Sequence, residues 1–141
     1  MQHIAFLAKK KKLLAKILSG EKTIESRWYV NKKTPYGTVK AGDTLWFKET
    51  GDPVTARATV EKALFFDLRQ TSAISILKEH GTGICAPIKW ASAVADKRYC
   101  TLVFLTDVQR VEPFKIDKTG YGNMAAWITV EDINRIKRSS R

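Results

Sequence analysis

Apolar and polar positions alternate with different periods along this chain, and each change of period marks an element. Residues 3 to 7 read as a short first strand. Lysines 9 to 12 then open a helix in which Leu13, Leu14, Ile17 and Leu18 form one apolar stripe. Lys9, Lys12, Lys16 and Ser19 fall on the opposite side at about 100° per residue. Gly20 follows where a left-handed residue commonly ends a helix. Thr23 to Tyr29 is β-rich, with Ile24 and Trp28 on one face. A polar turn region from Asn31 to Asp43 carries Pro35, Gly37 and Gly42. Thr44 to Glu49 reads as a strand, and Thr50-Gly51-Asp52-Pro53 as a hairpin loop.

Behind that loop Val54, Ala56, Ala58 and Val60 alternate with Thr55, Arg57, Thr59 and Glu61. A period of two predicts a strand with one face buried and one wet. A helix is expected from about Thr71 to His80, closed by Gly81, and a second starting at Pro87. Tyr99 to Leu105 is apolar on both faces, as befits a central strand, and the pattern continues toward Val111. Thr129 and Asp132 have capping-box spacing, with Ile128 and Ile133 placed to staple the entry, so a helix is expected to end the chain. The order of elements predicts an α+β domain spanning 1–141: a partly open mixed or antiparallel β-barrel with flanking helices.

Composition narrows the function classes. Hydrophobic residues make up 44% and charged residues 28% of the 141, an ordinary globular balance. No apolar run approaches the length that crosses a bilayer, and the first apolar residues run directly into lysines rather than into a signal core. A cytoplasmic protein is therefore expected. Cys85 and Cys100 have no metal-ligand spacing, and with only His3 and His80 beside them neither a zinc site nor another cofactor is expected. Both thiols read as buried and reduced. The charge is more informative: 25 Lys and Arg against 14 Asp and Glu leave +11, with a pI of about 9.8. That excess favours a polyanionic partner.

No P-loop, nucleophile elbow or His-Glu-x-x-His motif occurs. Gly120-Tyr121-Gly122-Asn123-Met124-Ala125 mimics a dinucleotide fingerprint, but too few residues follow to complete a βαβ unit. The segment that stands out is Gly20-Glu21-Lys22-Thr23-Ile24-Glu25-Ser26-Arg27-Trp28, where two cations and an acid crowd a helix-to-strand junction. In a strand Glu25 and Arg27 share a face, and the stem of Lys22 at the turn can swing to the same side. Such a cluster offers a guanidinium fork, a point charge and a carboxylate that orients both or accepts from an exocyclic amine. The plainer alternative is a surface ion pair between Arg27 and Glu25.

Gly20, Lys22, Glu25 and Arg27 match the Gly-x-Lys-x-x-Glu-x-Arg signature of the ASCH family, a PUA-like group. Ala41-Gly42-Asp43-Thr44-Leu45-Trp46-Phe47 and Ala126-Trp127-Ile128-Thr129-Val130-Glu131-Asp132-Ile133 also resemble segments of its small stand-alone members. The resemblance implies a PUA-like barrel with a cleft at the helix–strand junction, and a part in RNA metabolism with single-stranded RNA or a modified nucleotide as partner. Lys22 and Arg27 would meet phosphate or a carbonyl edge, and Glu25 would fix their geometry or read an amine. Lys9, Lys12 and Lys16 would widen the electrostatic footprint. Tyr29 and Tyr121 are the stacking candidates, most of the four tryptophans being expected in the core. The resemblance also implies an alternative, because some small ASCH-like proteins are amidohydrolases that deacylate modified cytidine. Lys22 would then be catalytic, with Glu25 beside it. Those enzymes carry threonine at the position of Glu25, and their further catalytic glutamate matches no motif here; Asp67 and Glu79 fall in its general region only.

Overall fold

Alternation along the first strand settles which side of the sheet is which. In the computed structural model, which describes residues 1–122 and 125–138, Ala5 and Leu7 face one apolar cluster while Ile4 and Phe6 face another. The strands are β1 (Gln2–Leu7), β2 (Ile24–Tyr29), β3 (Thr44–Glu49), β4 (Val54–Asp67), β5 (Tyr99–Ile116), β6 (Trp127–Val130) and β7 (Lys137–Arg138). The helices are α1 (Leu13–Ser19) and α2 (Ala73–Ile84), with single 3-10 segments at Lys9–Lys11, Ile88–Val94 and Ile133–Arg135. The strands join in the order β2-β5-β4-β3-β1-β6, with β7 on the far half of β5. All pairs are antiparallel except β1 with β3.

The sheet curls into a half-barrel. Register slips along β4, between Val54 and Ala56, Arg57 and Thr59, and Val60 and Lys62, supply the curvature, since each bulge bends its strand. The concave side is filled by Leu45, Phe47, Ala56, Ala58, Val60 and Val103, and Leu14 and Ile17 of α1 plug it. On the convex side α2 covers β2 and β5 through Ile76, Leu77, Cys100 and Leu102. The C-terminal residues cover the opposite end through Ile128, Val130, Ile133 and Phe114. The central strand expected from Tyr99 is present and is paired on both edges. Among the described residues no helix is long and apolar enough to cross a membrane.

Four expected elements come out differently, each for a local reason. The first helix does not begin at Lys9: Lys9–Lys11 is a 3-10 turn, and Lys12 in the left-handed region (φ 54°) interrupts it before α1. The helix expected to stop at Gly81 runs on to Ile84 and is closed by Cys85, itself left-handed. Gly81 serves packing instead, because a Cβ there would lie 2.7 Å from the carbonyl oxygen of Ala86. After Pro87 comes a 3-10 segment rather than an α-helix. Finally, the closing helix is absent among the described residues. Trp127–Val130 is a strand that occupies the otherwise open edge of β1, so backbone pairing overrides the capping-box spacing. Asp132 does cap, accepting from the Asn134 amide, but over a single 3-10 turn.

Two polar clasps hold the half-barrel shut. At the seam between the two ends of the sheet, Arg27 of β2 donates to the carbonyl oxygens of Phe6 and Ala126, both at 3.1 Å, and stacks over Trp127 at 5.3 Å. At the other clasp, wholly buried His3 lies 2.8 Å from Asp43 through Nε2 and 3.0 Å from the Thr129 hydroxyl through Nδ1. The Trp127 indole N–H also donates to Nδ1 at 3.2 Å, so this nitrogen is an acceptor and the ring is neutral with its proton on Nε2. Thr129, expected as a helix cap, instead ties β6 to β1.

Both clasps are testable. Arg27→Met should lower unfolding free energy by about 3 kcal/mol, because it orphans two carbonyls and the neighbouring buried Glu25; urea titration reads this directly. Burial, outweighing the raising influence of Asp43, holds His3 below its ordinary value of 6.5. The unfolded chain therefore binds the proton more readily than the folded one. This contribution to stability should be complete above about pH 6.5 and shrink as pH falls from there toward the lowered folded value. Melting temperature measured across pH 7.5 to about 4.5 should show that decline, and His3→Gln should remove this part of it.

Candidate functional site

The end of α1 sets the first wall of the site. Gly20, at φ 85°, lets the chain reverse, with its amide on the Ile17 carbonyl and the Lys22 amide on the Lys16 carbonyl. That turn aims the Lys22 side chain inward. Its ammonium donates to the carbonyl oxygens of Ile24 and Ile84, both at 2.8 Å, and so ties the start of β2 to the last residue of α2. Gly83 permits this approach, because a Cβ there would meet Ile24 Cδ1 at 2.7 Å and Thr23 Oγ1 at 2.9 Å.

Glu25 is the centre of the cluster. Its Oε1 accepts from the Ser26 amide at 3.0 Å and lies 3.7 Å from Lys22 Nζ, while Oε2 lies 3.6 Å from Arg27 Nη2. Lys22 and Glu25 are each 3% exposed. Glu25 Oε2 is shielded from solvent and has no hydrogen-bond donor. A buried acceptor left open in this way is uncommon and costs roughly 1–3 kcal/mol.

Lys22 and Glu25 stand at the wall of a cavity of about 450 Å³ between α1, β2 and the segment after α2. Lys11, half-buried Lys16 and Ser26 add polar groups, and Leu13, Ile84, Pro87 and Trp90 add apolar ones. Trp90 is half-buried and packs edge-on against Trp28, ring centres 5.5 Å apart. Among the described residues no group of three or more His, Cys, Asp or Glu side chains gathers that could hold a metal ion.

The residues singled out in the sequence divide accordingly. Lys22, Glu25 and Arg27 do converge, but both cations spend their donors on backbone carbonyls, and Arg27 sits behind the cavity at the barrel seam. Of the three helix lysines only Lys16 lines the cavity. Lys9 pairs with Asp52 at 2.9 Å on another face, and exposed Lys12 lies outside the lining because the 3-10 turn breaks the expected 100° progression. Tyr29 belongs to a separate basic aromatic surface, with Lys33 at 4.5 Å from its ring, adjoining Tyr99 and Tyr36 under Lys32. Tyr121 is exposed and does not line the cavity. Cys100 is buried in β5, its thiol pushed up by burial, whereas Cys85 is only partly buried and lines the cavity. Lys11, Ser26 and Trp90 were not foreseen. Three tryptophans are core, and only the Pro87 turn, invisible as such in the sequence, brings Trp90 to the rim.

No family model and no curated relative matches the sequence. Solved structures do. An ASCH protein from Zymomonas mobilis superposes with a TM-score of 0.65 at 17% identity, covering 92% of this chain and 87% of that one. A tyrosine-to-phenylalanine variant of the same protein gives 0.69 at 15% identity, covering 95% and 93%. A serine-to-alanine variant gives 0.69 at 15%, covering 95% and 91%. With nearly the whole of both chains superposed, this protein shares the fold of the Zymomonas mobilis ASCH protein, a curled half-barrel sheet with flanking helices.

Proposed function

We propose that this protein binds RNA, or a nucleotide derived from it, with one base in the cavity beside Glu25. The observation that carries the reading is the Glu25 carboxylate at the cavity wall in a basic surround, one of its oxygens without a hydrogen-bond donor. A turn of the carboxylate would bring that oxygen to an exocyclic amine or ring N–H in the cavity. The half-exposed Trp90 offers an apolar face to the same base, and base–aromatic stacking contributes about 1–3 kcal/mol. Lys11 and Lys16 stand where the phosphates would leave the cavity. The net charge of +11 strengthens attraction for any polyanion, and Tyr29, Tyr36 and Tyr99 with their lysines provide a further surface on which bases can stack. The resemblance to ASCH domains points the same way.

The amidohydrolase alternative asks Lys22 to act as base or nucleophile. Here its ammonium is bonded to two carbonyls and faces Glu25, so it is built to hold a junction together rather than to offer a lone pair. The geometry therefore favours binding over turnover.

Equilibrium binding of single-stranded RNA at low salt, with melting-temperature shifts for individual nucleotides, tests the reading. Wild-type protein should bind, and Glu25→Gln should weaken binding by roughly tenfold or more, the loss of a charge-assisted hydrogen bond. Trp90→Ala should weaken it by roughly 5- to 100-fold, and Lys16→Ala should flatten the salt dependence by about one charge. Absence of affinity for any RNA or nucleotide would refute the proposal. Release of cytidine from an acylated cytidine by wild type, and not by Lys22→Ala, would favour the enzyme instead.

A further inference from the structure

A second hollow lies at the β3–β4 turn. Lys48, the fifth residue of β3, points into it. Lys48 is 7% exposed, yet among the described residues its ammonium makes no hydrogen bond or ion pair. Buried ammonium groups are ordinarily paired, because desolvating an isolated charge is costly. Its nearest aromatic neighbour is the Phe6 ring, 4.8 Å from Nζ, and the same ring lies 5.1 Å from Lys118 Nζ.

More positive charge surrounds the same space. Lys115 at the end of β5 pairs directly with Arg138 of β7, a like-charge pairing that destabilises a ladder. Both line a cavity of about 320 Å³ with Lys48 and Lys118. An adjoining cavity of about 580 Å³ shares Lys118 and Arg138. Two acids are present, Asp52 acting on Lys48 and Asp117 on Arg138, and each also has a partner of its own. Asp52 holds Lys9 at 2.9 Å, and Asp117 accepts from the amide and hydroxyl of Thr119. Burial, with Lys118 adding to it and Asp52 opposing, draws the Lys48 amine below its ordinary value.

We infer that Lys48, Lys115, Lys118 and Arg138 form an anion site for a phosphoryl group, separate from the Glu25 cavity, which takes a backbone phosphate of a bound RNA strand. A tetrahedral oxyanion can accept from several of these cations at once and supplies the charge that Lys48 lacks. The assignment to RNA rests on the function proposed above; the phosphate site itself does not. The Lys9–Lys11 turn joins the two hollows, since Lys9 holds Asp52 at the second while Lys11 lines the first. One strand of RNA can therefore engage both.

Inorganic pyrophosphate, titrated at low salt and followed by melting temperature, separates the two parts. It should stabilise wild type and Glu25→Gln alike, and fail to stabilise Lys48→Met. Lys48→Met should also melt higher than wild type without ligand, since it takes one cation out of a crowded like-charge cluster. If that variant does not fold, exposed Lys118→Ala should show the same loss of pyrophosphate response. For a long single-stranded RNA, either variant should cut affinity about tenfold and reduce the salt slope by roughly one, while mononucleotide binding beside Glu25 stays unchanged. Pyrophosphate binding lost in the variants, with no RNA affinity in wild type, would uphold the anion site and sink the RNA assignment. No pyrophosphate response, or one that survives both substitutions, would overturn the site.

Discussion

A single buried carboxylate organises the functional end of this protein. Glu25 lies between an ammonium and a guanidinium, and neither cation is there chiefly for solvent or ligand. Lys22 binds the start of β2 to the end of α2, and Arg27 binds β2 to the seam where the two ends of the sheet meet. Backbone carbonyls carry only partial charge, so two cations committed to them leave a positive excess in a low-dielectric region. Glu25 balances it. Without the carboxylate Lys22 and Arg27 would face each other as like charges; without these cations the carboxylate would be stranded. The barrel closes around an electrostatic compromise rather than around apolar contact alone.

That compromise explains why the site has an open acceptor. Two cations approach Glu25 to 3.6 and 3.7 Å, close enough for attraction yet too far for good hydrogen bonds, since their donors are already directed at carbonyls. The carboxylate is thus neutralised in charge but incompletely satisfied in hydrogen bonding. Its Ser26 amide contact fixes Oε1 and leaves Oε2 as the unfilled position. Charge balance and hydrogen-bond satisfaction have been separated, and recognition chemistry can use the difference.

The sequence made the strands legible wherever alternation was clean. Val54 to Val60 and the doubly apolar Tyr99 to Leu105 fall where period predicts, because each side chain there has one neighbour surface to satisfy. The clustering of Lys22, Glu25 and Arg27 was readable from spacing, since a strand places alternate residues on one face. Which partners those cations choose was not, because Phe6, Ile84 and Ala126 are distant in sequence and contribute only carbonyls, which every residue possesses. The C-terminal segment misled for a related reason. Thr129 and Asp132 carry a local capping signal, whereas the open edge of β1 and the neutral His3 that decide the outcome lie more than 120 residues away. Gly81 misled in the opposite sense, a helix-stop residue retained inside a helix for a carbonyl that passes 2.7 Å from where its Cβ would be.

Phe6 has two neighbours of opposite kinds. Its carbonyl oxygen receives the Arg27 guanidinium, and its ring lies beside Lys48 and Lys118. The backbone of one residue thus belongs to the seam behind the Glu25 cavity while its side chain belongs to the other basic hollow. Displacement of this one residue of β1 would therefore be felt on both surfaces at once, by its carbonyl at the seam and by its ring among the lysines.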